Sequence, residues 1–172
     1  MGDAPHCGWY GVICDENELV INLYLGGNRL TGTLPPEIGN FVSLQGLYLW
    51  GNQLTSLPPE IGNLVNLRVL GLSYNQLLSI PPEIGNLASL QMLEIYYTQL
   101  TSLPPEIGNL ASLQVLLMVN NQLSGFIPAF LSNLSNLSQL YLDGNPDLTC
   151  WETQKARDWA LSLGYYNGPT CY

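Results

Sequence analysis

Basic residues are almost missing from this chain. Among 172 residues there are 4 Lys and Arg and a single His, against 13 Asp and Glu, for a net charge of −9. A chain with so little positive charge has no electrostatic footprint for nucleic acid or for an anionic membrane surface. One histidine and no Cys/His cluster leave a zinc site almost without ligands. No window approaches 18 uninterrupted apolar residues, which excludes a hydrophobic membrane span. The opening Met-Gly-Asp-Ala-Pro-His shows neither the apolar core of a leader nor a hydroxyl at position six for myristoylation, although a leader already removed would leave the same picture. Cysteine is scarce but even in number: four, two near each end. Apolar residues make up 47% and charged residues only 10%, so disorder is excluded and a packed core is expected.

The strongest feature present is a period. Leu-Pro-Pro-Glu-Ile-Gly-Asn begins at Leu34, Leu57 and Leu103, and Ile80 opens a near-copy. The pattern L-x-x-L-x-L-x-x-N-x-L starts at Val20, Leu44, Leu67, Leu90, Leu113 and Leu137. This pattern resembles the leucine-rich repeat, and six copies over residues 20–148 set coincidence aside. The implied fold is an α/β solenoid: a right-handed superhelix of six repeats, with a parallel sheet on the concave side and irregular or 3₁₀ structure on the convex side.

Physical chemistry agrees with the pattern. The central L-x-L of each unit alternates, as a half-buried strand must. One such strand buries too little to stand alone, so neighbours stack and place Leu23/Leu25, Leu47/Leu49, Leu70/Leu72, Leu93/Ile95, Leu116/Met118 and Leu140/Leu142 inside. The ninth position reads Asn28, Asn52, Asn75, Thr98, Asn121 and Asn145. A buried amide there satisfies turn backbone in its own coil and the next. Thr98 interrupts the column and is expected to be a local weak point. The Pro-Pro pairs cannot sit in a central strand, and the short Glu-Ile-Gly-Asn-Leu after each suits a 3₁₀ turn. Two repeats carry one extra residue, Thr31-Gly32-Thr33-Leu34-Pro35 and Ser124-Gly125-Phe126-Ile127-Pro128. They resemble the plant-type repeat, in which this segment makes a second small sheet.

A solenoid needs closed ends. Cys7 and Cys14 precede the first repeat, and Cys150 and Cys171 follow the last. Four cysteines allow three pairings. Nearest-neighbour bonds, each worth roughly 2–3 kcal/mol, fit ends held apart by a rigid array; four buried thiols are the alternative. The reading is one domain: a cap over 1–19, repeats over 20–148 and a second cap over 149–172. In the latter, Trp151–Leu163 reads as a short amphipathic helix with Gly164 as its stop and Trp159 as a plug over the last repeat. Cys7-Gly8-Trp9-Tyr10-Gly11-Val12-Ile13-Cys14-Asp15 resembles the N-terminal cap of plant extracellular leucine-rich-repeat proteins, among them receptor-like kinase ectodomains and polygalacturonase-inhibiting proteins. That resemblance implies a secreted or cell-surface recognition protein.

Positions 3, 5 and 7 of each unit alternate with the buried leucines and should face the concave side. Ten of these 18 residues are aromatic or aliphatic and none is basic, which makes this face the candidate binding surface. Its predicted members are Tyr24, Tyr48, Trp50, Tyr74, Met92, Glu94, Tyr96, Tyr97, Leu117 and Tyr141. Tyr48, Trp50, Tyr74, Tyr96 and Tyr97 form the centre; Val69, Met92, Val115 and Leu117 form the floor; Glu94 orients a basic group. Tyr and Trp combine a large apolar face with a polar tip at low entropy cost. The bland reading is that such residues simply suit strands. Glu37, Glu60, Glu83 and Glu106 repeat on the opposite side as a solvated acidic stripe, too sparse in oxygen ligands for calcium. Asn133-Leu-Ser and Asn136-Leu-Ser match the glycosylation acceptor pattern.

His6 stands alone, no phosphate-cradling loop follows a strand, and the outward carboxylates Glu94 and Asp143 are two strands apart. The chain is therefore read as a non-enzyme without cofactor or metal. The expected function is binding of a protein, peptide or glycan on the aromatic concave face, by a monomer or weak dimer. The alternatives are an inhibitor of a secreted enzyme, as the polygalacturonase-inhibitor resemblance implies, and a structural spacer or adhesion segment of a larger surface protein.

Overall fold

The computed structural model describes residues 6–169. Each repeat contributes one short strand to a single curved sheet. The strands are β1 (Val12–Cys14), β2 (Val20–Tyr24), β3 (Thr31–Thr33), β4 (Gly46–Tyr48), β5 (Gln53–Ser56), β6 (Val69–Gly71), β7 (Met92–Glu94), β8 (Val115–Leu117), β9 (Gly125–Ile127), β10 (Gln139–Tyr141), β11 (Leu148–Trp151) and β12 (Tyr165–Asn167). The main sheet runs β1-β2-β4-β6-β7-β8-β10-β12. Its six repeat strands are parallel and in unbroken register, so Tyr24, Tyr48, Gly71, Glu94, Leu117 and Tyr141 lie side by side in one column.

The core is the stacked leucines. Leu47, Leu49, Leu70, Leu72, Leu93, Ile95, Leu116 and Met118 are fully buried. Leu25, in the first coil, is only half-buried, because no repeat precedes it. The asparagine column works as predicted: Asn75 Nδ2 donates to Leu49 and Leu72 carbonyls, and its Oδ1 accepts from Leu54 N–H. Asn52, Asn121 and Asn145 repeat the arrangement. Asn28 is exposed, again for want of a preceding coil. At the break, the Thr98 hydroxyl donates to Asn121 Oδ1. That oxygen is then shared, and its bond from Leu100 N–H lengthens to 3.3 Å. The N–H to side-chain-oxygen bonds found at Leu30, Leu54, Leu100 and Leu123 have no counterpart at Leu77 among the described residues, so the expected weak point is a lost backbone partner.

The convex side carries 3₁₀ turns at Pro36–Asn40, Pro59–Asn63, Pro82–Asn86, Pro105–Asn109 and Ala129–Asn133. The glycine of Pro-Glu-Ile-Gly-Asn has a steric reason. A Cβ on Gly39, Gly62 or Gly85 would lie 2.5–2.7 Å from the Glu60, Glu83 or Glu106 carbonyl oxygen of the next coil, so only glycine lets the turns stack. The two longer repeats form the second sheets the sequence points to, β3 with β5 and β9 with β11. β5 recruits Gln53–Ser56 from a short repeat, which the sequence did not foretell.

The N-terminal cap is closed by the Cys7–Cys14 disulfide, and β1 covers the sheet edge as an antiparallel strand. The C-terminal helix α1 spans Gln154–Leu161, capped by Thr153 Oγ1 accepting from Ala156 N–H. It is shorter than expected at both ends. Trp151 belongs to β11, and the helix stops at Ser162 rather than Gly164. Ala156 and Ala160 are buried, and Trp159 meets Trp151 edge to face at 5.9 Å, the plug the sequence points to. The sixth copy of the repeat runs one residue late: Asp147 occupies its last position, and Leu148 fills the core instead. The predicted Cys150–Cys171 bond involves Cys171, outside the described residues. Among the described residues no helix is long and apolar enough to cross a membrane.

Candidate functional site

The concave sheet presents three aromatic groups along its length. At the N-terminal end Tyr24 and Tyr48 stack with ring centroids 4.5 Å apart and planes 2° from parallel. Beside them, Trp50 lies over Gly26: a Cβ on that glycine would sit 2.5 Å from the indole. Likewise the Tyr48 ring lies over Gly46, whose Cβ would meet it at 2.8 Å. Each large ring is thus seated on a glycine of its own or a neighbouring strand. Tyr10, Gly11 and Ile13 of the cap extend this end into an open hollow of about 430 Å³ with Tyr24, Gly26 and Trp50. Sequence reasoning did not include Tyr10 and Ile13; the readable signal was the alternation of β1 itself.

The central group is Tyr74, Tyr96 and Tyr97. Tyr74 and Tyr97 stack at 4.9 Å and 7°, and each meets Tyr96 edge-on, at 5.4 and 6.2 Å. Their backbone is unusual. Position 8 of the repeat has left-handed φ in every coil: Gly27, Gly51, Tyr74, Tyr97, Asn120 and Gly144. The ladder imposes it. The Tyr74 N–H donates to Tyr96 O and the Tyr97 N–H to Val119 O, both at 3.0 Å, while the following Asn75 is anchored below. Glycine accepts this conformation freely and asparagine tolerates it, but for tyrosine it costs about 1–2 kcal/mol. Two adjacent coils therefore hold tyrosine against local preference, at φ 56° and 52°. Both rings remain half exposed, at 51% and 50%.

At the C-terminal end Tyr141 stacks on Tyr165 at 4.6 Å. Tyr165 comes from β12, which adds a further parallel strand beside β10. The sequence did not reveal this strand, because a three-residue strand after a helix carries no periodic signal.

Most of the predicted face is assembled, with one correction. Met92, Glu94, Tyr96, Leu117 and Tyr141 are half-buried, and Tyr24, Trp50, Tyr74 and Tyr97 are exposed. Ser73, expected to point outward, is 1% exposed, and its Oγ accepts from Tyr96 N–H. A short side chain among tyrosines is covered by them. Burial pushes the Tyr48 hydroxyl above the usual tyrosine range, with Tyr24 and Glu94 adding to it. Burial also raises the Glu94 carboxyl above the usual glutamate range. The acidic stripe lies on the far side, away from these rings, and is less solvated than expected: Glu37 is exposed, Glu60, Glu83 and Glu106 are half-buried, and Glu83 Oε2 is buried without a hydrogen-bond partner among the described residues, because the stacked turns close over it. Asn136 Nδ2 donates to Ala111 O, which ties up one of the two glycosylation candidates in holding adjacent coils together.

Comparison with known proteins gives the following. A family model described as a leucine-rich repeat region matches residues 59–150, and a Leucine Rich Repeat model matches 20–41 and 43–64. The LRR receptor-like serine/threonine-protein kinase EFR of Arabidopsis thaliana is 46% identical over 54 residues, covering 31% of this chain and 5% of its own length. Among solved structures, the Arabidopsis receptor kinase HAESA, in complex with the peptide hormone IDA and the co-receptor SERK1, superposes with a TM-score of 0.80 at 29% identity, over 96% of this chain and 28% of that one. The LRR ectodomain of SOBIR1 from Arabidopsis thaliana gives 0.70 at 30% identity over 86% of each chain. This chain thus spans about a twentieth of the EFR receptor it matches.

Proposed function

The chain belongs to the leucine-rich repeat proteins, in their plant-type extracellular form, and on that basis we propose that it is a non-catalytic recognition module that binds a peptide or protein partner on its concave aromatic sheet, outside the cell. One observation carries this reading: Tyr74 and Tyr97 stand in left-handed backbone where the end repeats use glycine, with their rings stacked and half exposed. Backbone strain of this kind persists where side-chain identity serves something other than folding. Two preorganised tyrosines offer large apolar contact at small entropic cost. The similar HAESA structure holds a peptide hormone and a co-receptor, which supports a peptide or protein as the partner class here.

The test is selection of a displayed peptide library on the folded protein. Binders are then measured against Trp50→Ala/Tyr96→Ala/Tyr97→Ala, after circular dichroism shows that this variant folds. Losing the hub of the face should weaken binding by about 2 kcal/mol or more, some thirtyfold. Binders that ignore the variant would move the site to the caps or the acidic side. A well-folded monomer that selects nothing would refute the reading in favour of a spacer.

A further inference from the structure

The two glycosylation patterns begin three residues apart, where the chain turns from the convex side back to the sheet. The first starts on the last residue of the 3₁₀ turn Ala129–Asn133, the second just after it. Their middle residues, Leu134 and Leu137, are buried in the core. The flanking residues Asn133, Ser135, Asn136 and Ser138 are all exposed. Exposure therefore does not separate the two patterns, but hydrogen bonding does.

The second pattern is built into the solenoid. Asn136 Nδ2 donates to Ala111 O at 2.6 Å and Ser138 Oγ to Gln114 O at 3.1 Å, so both side chains reach back to carbonyls of the preceding coil. The same repeat position does the same elsewhere: Asn66 Nδ2 donates to Val42 O, and Ser112 Oγ to Ala88 O. In the first pattern, among the described residues, neither the Asn133 amide nor the Ser135 hydroxyl makes a hydrogen bond. Gly108 of the preceding coil sets no side chain beside the Asn133 amide; a Cβ there would lie 3.3 Å from Nδ2.

We infer that Asn133, and not Asn136, carries an N-linked glycan in the folded, secreted protein. This rests on the extracellular location proposed above. In the transfer, Asn133 Nδ2 bonds to C1 of an oligosaccharide carried on a polyprenyl pyrophosphate. The bond from C1 to the pyrophosphate oxygen breaks, the lipid pyrophosphate leaves and the amide gives up one proton. Ser135 supplies the hydroxyl that the acceptor pattern requires. The transferase meets the chain before its coils have stacked, when both patterns are open, and folding then separates them. A sugar on Asn136 Nδ2 replaces one of its two N–H donors and draws the side chain away from Ala111 O, so that contact between coils is lost. Chains that fold less well are depleted by cellular quality control, even for a loss of that size. A sugar on Asn133 breaks no bond, and a bulky polar group projects from this turn into solvent. The turn packs against α1 of the C-terminal cap, on the opposite side of the coil from the strands. The glycan therefore leaves the tyrosine hub open and closes this stretch of the convex side to partners.

The test is secretion of the whole chain from cultured plant cells behind a cleavable leader. Its glycans are released in ¹⁸O-water by a peptide N-glycosidase active on plant glycans, which marks each glycan-bearing asparagine as labelled aspartate for peptide mass mapping. The label on Asn133 should exceed that on Asn136 by about fivefold or more, the abundance change that a lost contact of this size produces. Ser138→Ala should leave the glycan in place. Ser135→Ala removes the first pattern with Asn133 intact and leaves Asn136 as the acceptor. Any glycosylated fraction of that variant should unfold at lower urea than its unmodified fraction, whereas the two forms of the wild type should unfold together. An unmodified wild type, equal label at both sites, label mainly on Asn136, or a glycosylated Ser135→Ala protein as stable as the unmodified one overturns the inference. The two readings fail separately. The added leader brings the chain to the transferase wherever it resides natively, so an unmodified Asn133 sinks this inference alone. A folded protein glycosylated at Asn133 that selects no peptide sinks the concave-face reading alone.

Discussion

The left-handed tyrosines can be tested without any ligand. Replacing Tyr74 by Ala or by Gly removes the same ring, the same stack on Tyr97 and the same edge contact with Tyr96, so the difference between the two variants isolates the backbone. At an ordinary position alanine is the more stable by about 0.4–1 kcal/mol, because glycine leaves the unfolded chain more freedom. At φ 56° the alanine Cβ costs about 1–2 kcal/mol that glycine avoids. Subtracting one from the other leaves Tyr74→Gly more stable than Tyr74→Ala by about 0.5–1 kcal/mol. With a urea m-value of about 2 kcal/mol/M, the midpoints should differ by about 0.4 M in glycine's favour. Tyr96, whose φ is not positive, is the control, and there the order should be the usual one, alanine above glycine. Unfolding is followed by circular dichroism and tryptophan fluorescence together, since repeat arrays can lose cooperativity. The double change at Tyr74 and Tyr97 should roughly double the difference. If the order at Tyr74 matches that at Tyr96, the tyrosines are not strained and the main support for a selected aromatic hub is gone.

Three further outcomes follow from the same structure. Thr98→Asn should restore the interrupted column, giving Leu77 N–H an acceptor and stabilising the protein by about 1 kcal/mol, with slowed hydrogen exchange at the Leu77 amide as the specific readout. Leu70→Ala, in the fully buried centre of the array, should cost about 3–5 kcal/mol in urea unfolding, and a loss below about 1 kcal/mol would mean the repeat core is not packed as described. Glu94 has its folded-state pKa raised by burial, so the folded form binds the proton more readily than the unfolded form; stability should fall as pH rises from the ordinary glutamate range through the raised value, and Glu94→Gln should flatten that part of the pH–stability curve.

The architecture was legible because it is periodic. Leucines 23 residues apart can be satisfied only by stacking, and strict alternation within each unit decides which residues face in and out. What escaped the sequence was everything aperiodic. β12 and the stack of Tyr165 on Tyr141 arise after the last repeat, where no pattern runs. The helix boundary moved because Trp151 serves β11 first. Ser73 looked outward by parity, yet its size let its neighbours close over it. Two signals at the site were present and unread. Position 8 is glycine in three repeats, which marks left-handed backbone and makes Tyr74 and Tyr97 anomalous in that column. The glycines at Gly26 and Gly46 sit beside Trp50 and Tyr48, and a small residue next to a large one on a sheet surface marks a place where a ring leans over the backbone. Partner identity was never in the pattern, since the repeats that specify the coil are indifferent to what the outward positions contact.

The distribution of aromatics along the sheet sets the size of the partner. The six parallel strands span roughly 24 Å at 4.8 Å per step, and β1 and β12 extend the sheet to roughly 34 Å. Aromatic groups stand at both ends and in the middle: Trp50 with Tyr24 and Tyr48, then Tyr74, Tyr96 and Tyr97, then Tyr141 with Tyr165. An extended peptide advances about 3.3 Å per residue, so one crossing the strands needs about ten residues to touch all three. A ligand confined to one pocket would leave two of these exposed clusters without a role. Truncating a selected peptide from either end should therefore lower affinity in steps, each step made insensitive to length by removing the aromatic group at that end. A smooth decline, or affinity concentrated in three or four residues, would mean that a single cluster carries recognition and the others are ordinary strand surface.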